Sequence, residues 1–204
     1  MARYTGPKTK KARALGEAIY GPDRAFEKRK YKPGQHGNTR RRRRQSSDYS
    51  QQLQEKQKAK FTYGVLERQF RNTFATAVRS RGVTGENLLQ LLETRLDNVV
   101  FRLGFARSRR AARQLVSHKH VMVNGELSYT PSQHIKPGDK VSIRPKSQGN
   151  DVIRNAVELS GDVRRTGWLE RNSDRMEGTV LAYPMRDQIP EKINEQLIVE
   201  LYSK

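Results

Sequence analysis

The run from Arg95 to Gly125, RLDNVVFRLGFARSRRAARQLVSHKHVMVNG, holds the residues whose types and spacing could do chemistry. Wound as an α-helix from Arg109, it sorts cleanly. Arg109, Arg110, Arg113, Gln114, Ser117 and His118 take one half of the circumference, and Ala111, Ala112, Leu115 and Val116 take the other. The chemistry is anion binding. A guanidinium is a planar fork that can hold two phosphate oxygens at once, which a lysine ammonium cannot do. Ser108 stands where an N-cap belongs, and the positive end of the helix dipole adds its field to Arg109 and Arg110. Residues 107–118 carry four arginines, Arg107 included, and no acid. Lys119 and Asn124 extend the polar surface past the helix. Such a face fits a nucleic acid. It leaves RNA and DNA both open, because Arg110 and Gln114 could also read guanine and adenine edges in a DNA major groove.

The surrounding pattern says what positions this helix. Leu96, Val99, Val100 and Leu103 form a narrow stripe facing away from Asp97, so a first helix precedes the basic one across a turn at 104–107. Val121 and Val123 alternate with Met122 up to Asn124-Gly125. Beyond the Pro137-Gly138-Asp139 turn, Val141 and Ile143 alternate with Ser142 and Arg144. The expectation is a helix-turn-helix on a short, mainly antiparallel sheet. Residues 146–180, with Gly149, Gly161, Gly167 and Gly178, read as loops around one short helix near Val152 to Leu159. Upstream, Ser46 or Ser47 can cap a helix bearing Tyr49 and Leu53. A stronger helix follows Thr62 with the stripe Leu66, Phe70, Phe74 and Val78, and Gly82 and Gly85 end it. Leu88, Leu89, Leu91 and Leu92 lead into the opening run. In the tail, Ile193, Leu197 and Leu201 fit a helix, while the alternation in LIVELY also fits a strand; the helix is preferred.

Composition bounds the partner. The chain has 204 residues, 41 Lys and Arg against 21 Asp and Glu, and a formal net charge of +20. Such an excess points to a polyanion, since each phosphate neutralised releases a condensed counterion. Residues 1–46 hold 15 of the cations and 3 of the acids, hence twelve of the twenty net charges, and Arg40 to Arg44 are consecutive. They read as a basic arm, extended until a polyanion arrives, with Tyr4, Tyr20, Phe26 and Tyr31 spaced among the cations to stack on bases or pack on a partner. There is no cysteine, which removes disulfides and thiolate metal ligation. No apolar run approaches the length of a membrane span, and no secretion signal opens the chain, so a cytoplasmic protein is expected.

With these motifs in hand, a resemblance appears. Arg95 to Gly125, with Pro131-Ser132 and Pro137-Gly138-Asp139 behind it, resembles the small RNA-binding domain first named from the S-four family of small-subunit ribosomal proteins. The rest of the chain resembles that family too. The matching segments are Met1 to Tyr4, Gly6 to Lys8, Pro33 to Gly37 (PGQHG), Ser47 to Tyr49, Glu55 to Lys58, Tyr63 to Phe70 (YGVLERQF), Trp168 to Glu170, Met176 to Gly178 and Ile198 to Lys204. The resemblance implies an α+β fold: a basic arm over 1–46, a helical domain over 47–92 completed by about 177–204, and an inserted domain over 93–176 containing the small module at about 94–145. It implies a structural role in the small subunit. The protein is expected to bind the 5′ domain of 16S ribosomal RNA at a helix junction early in assembly, to lie near the entrance channel for messenger RNA, to contribute to decoding accuracy and to contact small-subunit protein S-five. Repression of its own messenger is a further possibility for the family.

The residues expected on RNA are Arg3, Lys8, Lys10, Lys11 and Arg13 in the arm, Arg40, Arg41, Arg42, Arg43 and Arg44 in the run, and Lys56, Lys58, Arg68 and Arg71 in the helical segment. In the module they are Arg107, Ser108, Arg109, Arg110, Arg113, Gln114, His118, Lys119 and Asn124. Met176, Glu177 and Gly178 are assigned to the protein partner. Many family members carry a cysteine cluster for zinc in the arm; this chain has none, and His36, His118, His120 and His134 are not spaced to replace it, so no metal or cofactor is expected. The alternative is an RNA-modifying enzyme, or a non-ribosomal RNA- or DNA-binding regulator, with the same small domain. An enzyme needs a catalytic carboxylate or a glycine-rich cofactor loop, whereas Asp151, Glu158, Asp162 and Glu170 are scattered. Binding without catalysis is the reading preferred.

Overall fold

A computed structural model describes residues 3–37, 47–160, 166–172, 174 and 176–203. The five-arginine run lies outside them. The chain divides into two compact units, Met1–Arg79 with Lys192–Lys204, and Ser80–Glu191.

The first unit is helical: α1 (Lys8–Leu15), α2 (Arg24–Lys28), α3 (Asp48–Thr62), α4 (Glu67–Arg79) and α9 (Glu195–Tyr202). Ser47 caps α3, its hydroxyl accepting the Ser50 N–H at 3.3 Å. The tail folds as the preferred helix, packed along α3, and Tyr202 stacks on Phe74 with ring centroids 4.4 Å apart. Tyr202 also donates to Glu67, and burial beside that carboxylate pushes the phenol up to about 12. Phe70 is fully buried as its stripe requires, but Val78 faces outward.

The described part of the arm is not extended. Asp23 caps α2 by accepting the N–H groups of Ala25 and Phe26, and takes the Thr9 hydroxyl from α1 at 2.6 Å, a bond that holds the Asp23 carboxyl below its usual range. Arg13 lies over the Tyr31 ring and donates to the carbonyls of Tyr31 and Lys32. These links join residues far apart in sequence, and with Ala12 and Phe26 buried they fold a segment that has no apolar period of its own.

The second unit carries α5 (Thr84–Glu93), α6 (Leu96–Arg102), α7 (Arg109–Ser117) and α8 (Asp151–Ser160), with strands β1 (Val121–Val123), β2 (Glu126–Ser128), β3 (Lys140–Ile143), β4 (Leu169–Asn172) and β5 (Glu177–Val180). The sheet runs β2-β1-β3-β5-β4, with every pairing antiparallel. Asn124 and Gly125, both at positive φ, make the tight turn between β1 and β2. Leu96, Val99, Val100, Leu103, Ala112 and Val116 bury their stripes on Val121, Val141, Ile143 and Trp168. The helix-turn-helix on a short antiparallel sheet is thus present.

One feature departs from expectation. Strands β4 and β5 lie where loops were read. At Gly178 in β5 a Cβ would collide with the Leu103 side chain, so the glycine lets the sheet meet the end of α6. The compact units change at 79/80 and 191/192, beside the domain boundaries expected at 92/93 and 176/177. α5 belongs with α6, which it contacts, and β5 is held between β3 and β4.

Candidate nucleic-acid interface

Helix α7 starts as its residue types require: the Ser108 hydroxyl accepts the Ala111 N–H at 3.2 Å. Its polar half then splits into two layers. Arg113 is 7% exposed and donates to Asp97 Oδ2 at 3.0 Å, while Arg95 donates to both oxygens of the same carboxylate at 3.1 and 2.8 Å. Arg109 lies over the Phe101 ring, donates to Asn98 Oδ1 at 2.7 Å, and is ion-paired with Glu191. Glu191 also pairs with Arg102, which grips the fully buried Glu93 at 2.6 and 2.9 Å. Asn98 donates to Glu93 as well, at 2.7 Å.

Arg109 and Arg113, both expected on RNA, thus have carboxylate partners within the protein. Both lie on the polar half of the helix, yet neither stands in its outer layer. Angular sorting separates polar from apolar residues but not outward from inward. The carboxylates that turn these guanidinia inward come from α5, α6 and the segment before α9, which no wheel of α7 contains. Arg107, Gln114, His118 and Lys119 are exposed, and Arg110 is half-buried. The outward layer therefore consists of Arg107, Arg110, Gln114, His118 and Lys119.

Other expected residues also have structural partners. Asn124 donates to Asp139 and accepts the Lys140 N–H, both at 2.8 Å, pinning the β1–β2 turn to β3. Lys58 is buried and pairs with Glu17 at 2.7 Å; Lys56 pairs with Glu67 at 2.8 Å. Burial alone would raise the Glu67 carboxyl, but Lys56 and Lys60 bond to it and hold it below its usual range. Lys11 sits against the rings of Tyr4 and Phe61. Arg3, Lys8, Lys10, Arg68 and Arg71 are exposed. Glu177 and Gly178 line a polar groove of about 520 Å³ with Lys140, Glu170, Arg171 and Asp174, and the Met176 carbonyl accepts the Ile143 N–H at 3.0 Å. The sequence reading passed over Lys136, Lys140 and Lys146, which stand exposed around β3; the outward phase of Lys140 was legible in the alternation with Val141 and Ile143. Among the described residues no His, Asp or Glu group is arranged to hold a metal, and no helix is long and apolar enough to cross a membrane.

The two layers respond differently to substitution. Arg113→Ala leaves Asp97 with Arg95, and is expected to cost about 1–3 kcal/mol of stability through the lost charged hydrogen bond. Gln114→Ala is expected to stay within about 0.5 kcal/mol, as exposed surface positions do, and to weaken RNA binding instead. Urea unfolding beside RNA binding separates them; equal stability losses would dissolve the distinction between layers.

Comparison with known proteins agrees with this geometry. Residues 3–93 match the family described as ribosomal protein S4/S9 N-terminal domain, and residues 94–141 match the S4 domain. Over 204 residues and the whole of both chains, the protein is 61% identical to small ribosomal subunit protein uS4 of Christiangramia forsetii. On the same full coverage it is 58% identical to that of Flavobacterium psychrophilum and 54% identical to that of Cytophaga hutchinsonii. Both modules in order, similarity along the entire length, and a small helix-turn-helix on a sheet with a cationic outer layer lead to one assignment: the chain belongs to the uS4 family of small ribosomal subunit proteins.

Proposed function

We propose that this protein is a structural constituent of the small ribosomal subunit that binds the 5′ domain of 16S ribosomal RNA during assembly, working in the cytoplasm. The observation that carries the reading is the layering of α7. Arg109 and Arg113 are fixed by carboxylates beneath, while Arg107, Arg110, Gln114, His118 and Lys119 make up the outer layer. The inner layer supplies rigidity and the outer layer supplies ligand contacts, so little conformational entropy is lost on binding. RNA helices suit this surface. Their deep, narrow major groove excludes side chains, and recognition falls to backbone shape and phosphate. Arg3, Lys8, Lys10, Arg68 and Arg71, exposed on the first unit, and the run Arg40 to Arg44 supply further phosphate contacts.

Membership in a family of ribosomal proteins sets aside the RNA-modifying enzyme and the DNA-binding regulator. The finer parts of the proposal come from the family resemblance: a place near the entrance channel for messenger RNA, an influence on decoding accuracy, contact with small-subunit protein S-five, and repression of its own messenger. The groove beside Glu177 and Gly178 is the surface offered to the protein partner.

The test is equilibrium binding to a 5′-domain fragment of 16S RNA across a salt series. If about ten phosphates are neutralised, log K falls against log salt with a slope of about −7 to −9. A slope near that of an unrelated structured RNA, with no preference in direct competition, would set the reading aside.

A further inference from the structure

Resting on the RNA-binding reading above, we infer that Lys119 and Tyr129 form a stacking site for an unpaired nucleobase of the bound RNA. The first observation is the conformation of Lys119. Helix α7 ends with paired bonds from the His120 N–H to the Leu115 carbonyl and from the Lys119 N–H to the Val116 carbonyl, each 3.0 Å. This closure needs a left-handed residue at Lys119, whose φ is 62°, and glycine fills that position at least cost. A lysine there bears backbone strain, and strain of this kind gathers where a side chain is needed for function.

The second observation is what that lysine meets. Its ammonium lies 5.6 Å from the centre of the Tyr129 ring. Tyr129 is 63% exposed and follows directly on β2, an edge strand. The pairing of Val121 with Ser128 brings this end of β2 beside the chain leaving α7. Period-2 alternation puts Leu127, itself 45% exposed, on the same face as Tyr129, while Glu126 falls on the opposite face. The result is an exposed aromatic and aliphatic surface with the Lys119 ammonium over the Tyr129 ring, directly after the exposed His118 in the chain. A protein core partner would find a charge at the edge of the apolar surface. A base finds a ring for its π-face and an ammonium for its phosphate, the arrangement used on single-stranded nucleic acid.

The tyrosine's share of the site differs in kind from phosphate contacts, because stacking adds affinity without adding charge neutralisation. Tyr129→Ala is expected to weaken binding to the 5′-domain fragment by roughly five- to a hundredfold at an unchanged salt slope, with Tyr129→Phe within about twofold of the parent. Binding to a fully paired A-form duplex should be indifferent to either change. Base-specific chemical probing should find an unpaired base shielded by the parent and opened by Tyr129→Ala. Lys119→Gly is expected to raise the Tm by roughly a few degrees, through relief of the left-handed strain, and still to weaken RNA binding. Parental affinity and an unchanged probing pattern in Tyr129→Ala overturn the site, as does a defect confined to binding other small-subunit proteins. Failure of the unaltered protein to prefer the fragment is a different result: it removes the RNA-binding reading itself, and this site with it.

Discussion

Arg102→Ala is expected to destabilise the second unit by about 3–5 kcal/mol, the usual cost of stripping a buried carboxylate of its cation. Glu93 is 0% exposed, and Arg102 meets both of its oxygens. The substitution leaves Glu93 with the Asn98 amide at 2.7 Å and the more distant Arg109 guanidinium at 3.9 Å in a site that cannot hydrate it, and it also removes one cation from Glu191. Removing both charges tells a different story. Replacing Glu93 with leucine and Arg102 with methionine together should recover part of the loss, because no buried carboxylate then stands at position 93, while Asn98 and Glu191 each lose one partner. The single tryptophan provides the readout. Trp168 is 1% exposed within this unit, so its fluorescence reports urea unfolding there. Lys56→Ala in the first unit serves as the contrast: its partner Glu67 is half exposed, and a loss below about 1 kcal/mol is expected. An Arg102→Ala protein as stable as its parent would mean that the Glu93 network does not hold α5, α6 and α7 in place.

The second large effect concerns charge, not folding. Replacing Arg40 to Arg44 with glutamine removes five of the net positive charges in the sequence. If all five reach phosphates, the salt slope for the 5′-domain fragment becomes shallower by about 3.5–4.5. The fall in affinity between about 50 and 200 mM salt then shrinks by roughly two orders of magnitude. The urea midpoint is expected to stay unchanged, since the replacement leaves Ala12, Phe26, Tyr63, Phe70 and Ile198, which are buried in the first unit, as they are. An unchanged slope would show that the run does not touch this RNA.

Legibility in the sequence followed the range of the forces involved. The paired helices and strands β1 and β3 were readable because each buries one face and keeps a strict period, Leu96-Val99-Val100-Leu103 on one side and Val121-Val123 and Val141-Ile143 on the other. Ser47, Ser108 and Asn124-Gly125 were readable by residue type, since caps and tight turns are local chemistry. Strands β4 and β5, four residues each, were not: LERN and EGTV alternate in burial once paired in the sheet, but each has a single large apolar residue and so shows no period in the sequence. The arm was misread for a related reason. α1 and α2 have one buried residue each, and are joined by the Thr9–Asp23 bond across fourteen positions.

The site was legible as a surface but not in depth. Helical phase put Arg109, Arg110 and Arg113 together, yet the carboxylates that draw two of them inward stand sixteen residues away at Asp97 and eighty-two away at Glu191. In the same manner, Lys56 and Lys58 have ion-pair partners that the sequence did not show. The outer layer of α7, extended by Lys119 in its left-handed conformation, is the part of the proposed interface that helical phase did show.

The most direct test of that layer exploits the absence of cysteine in this chain. A radical-generating probe tethered at Gln114→Cys, an exposed position on the outer face of α7, should sit against RNA in reconstituted 30S particles. Strand cuts confined to the 5′ domain of 16S RNA are the expected result. Cuts confined to other domains, or none in particles that contain the tethered protein, would contradict the assignment of this face to the ribosomal RNA.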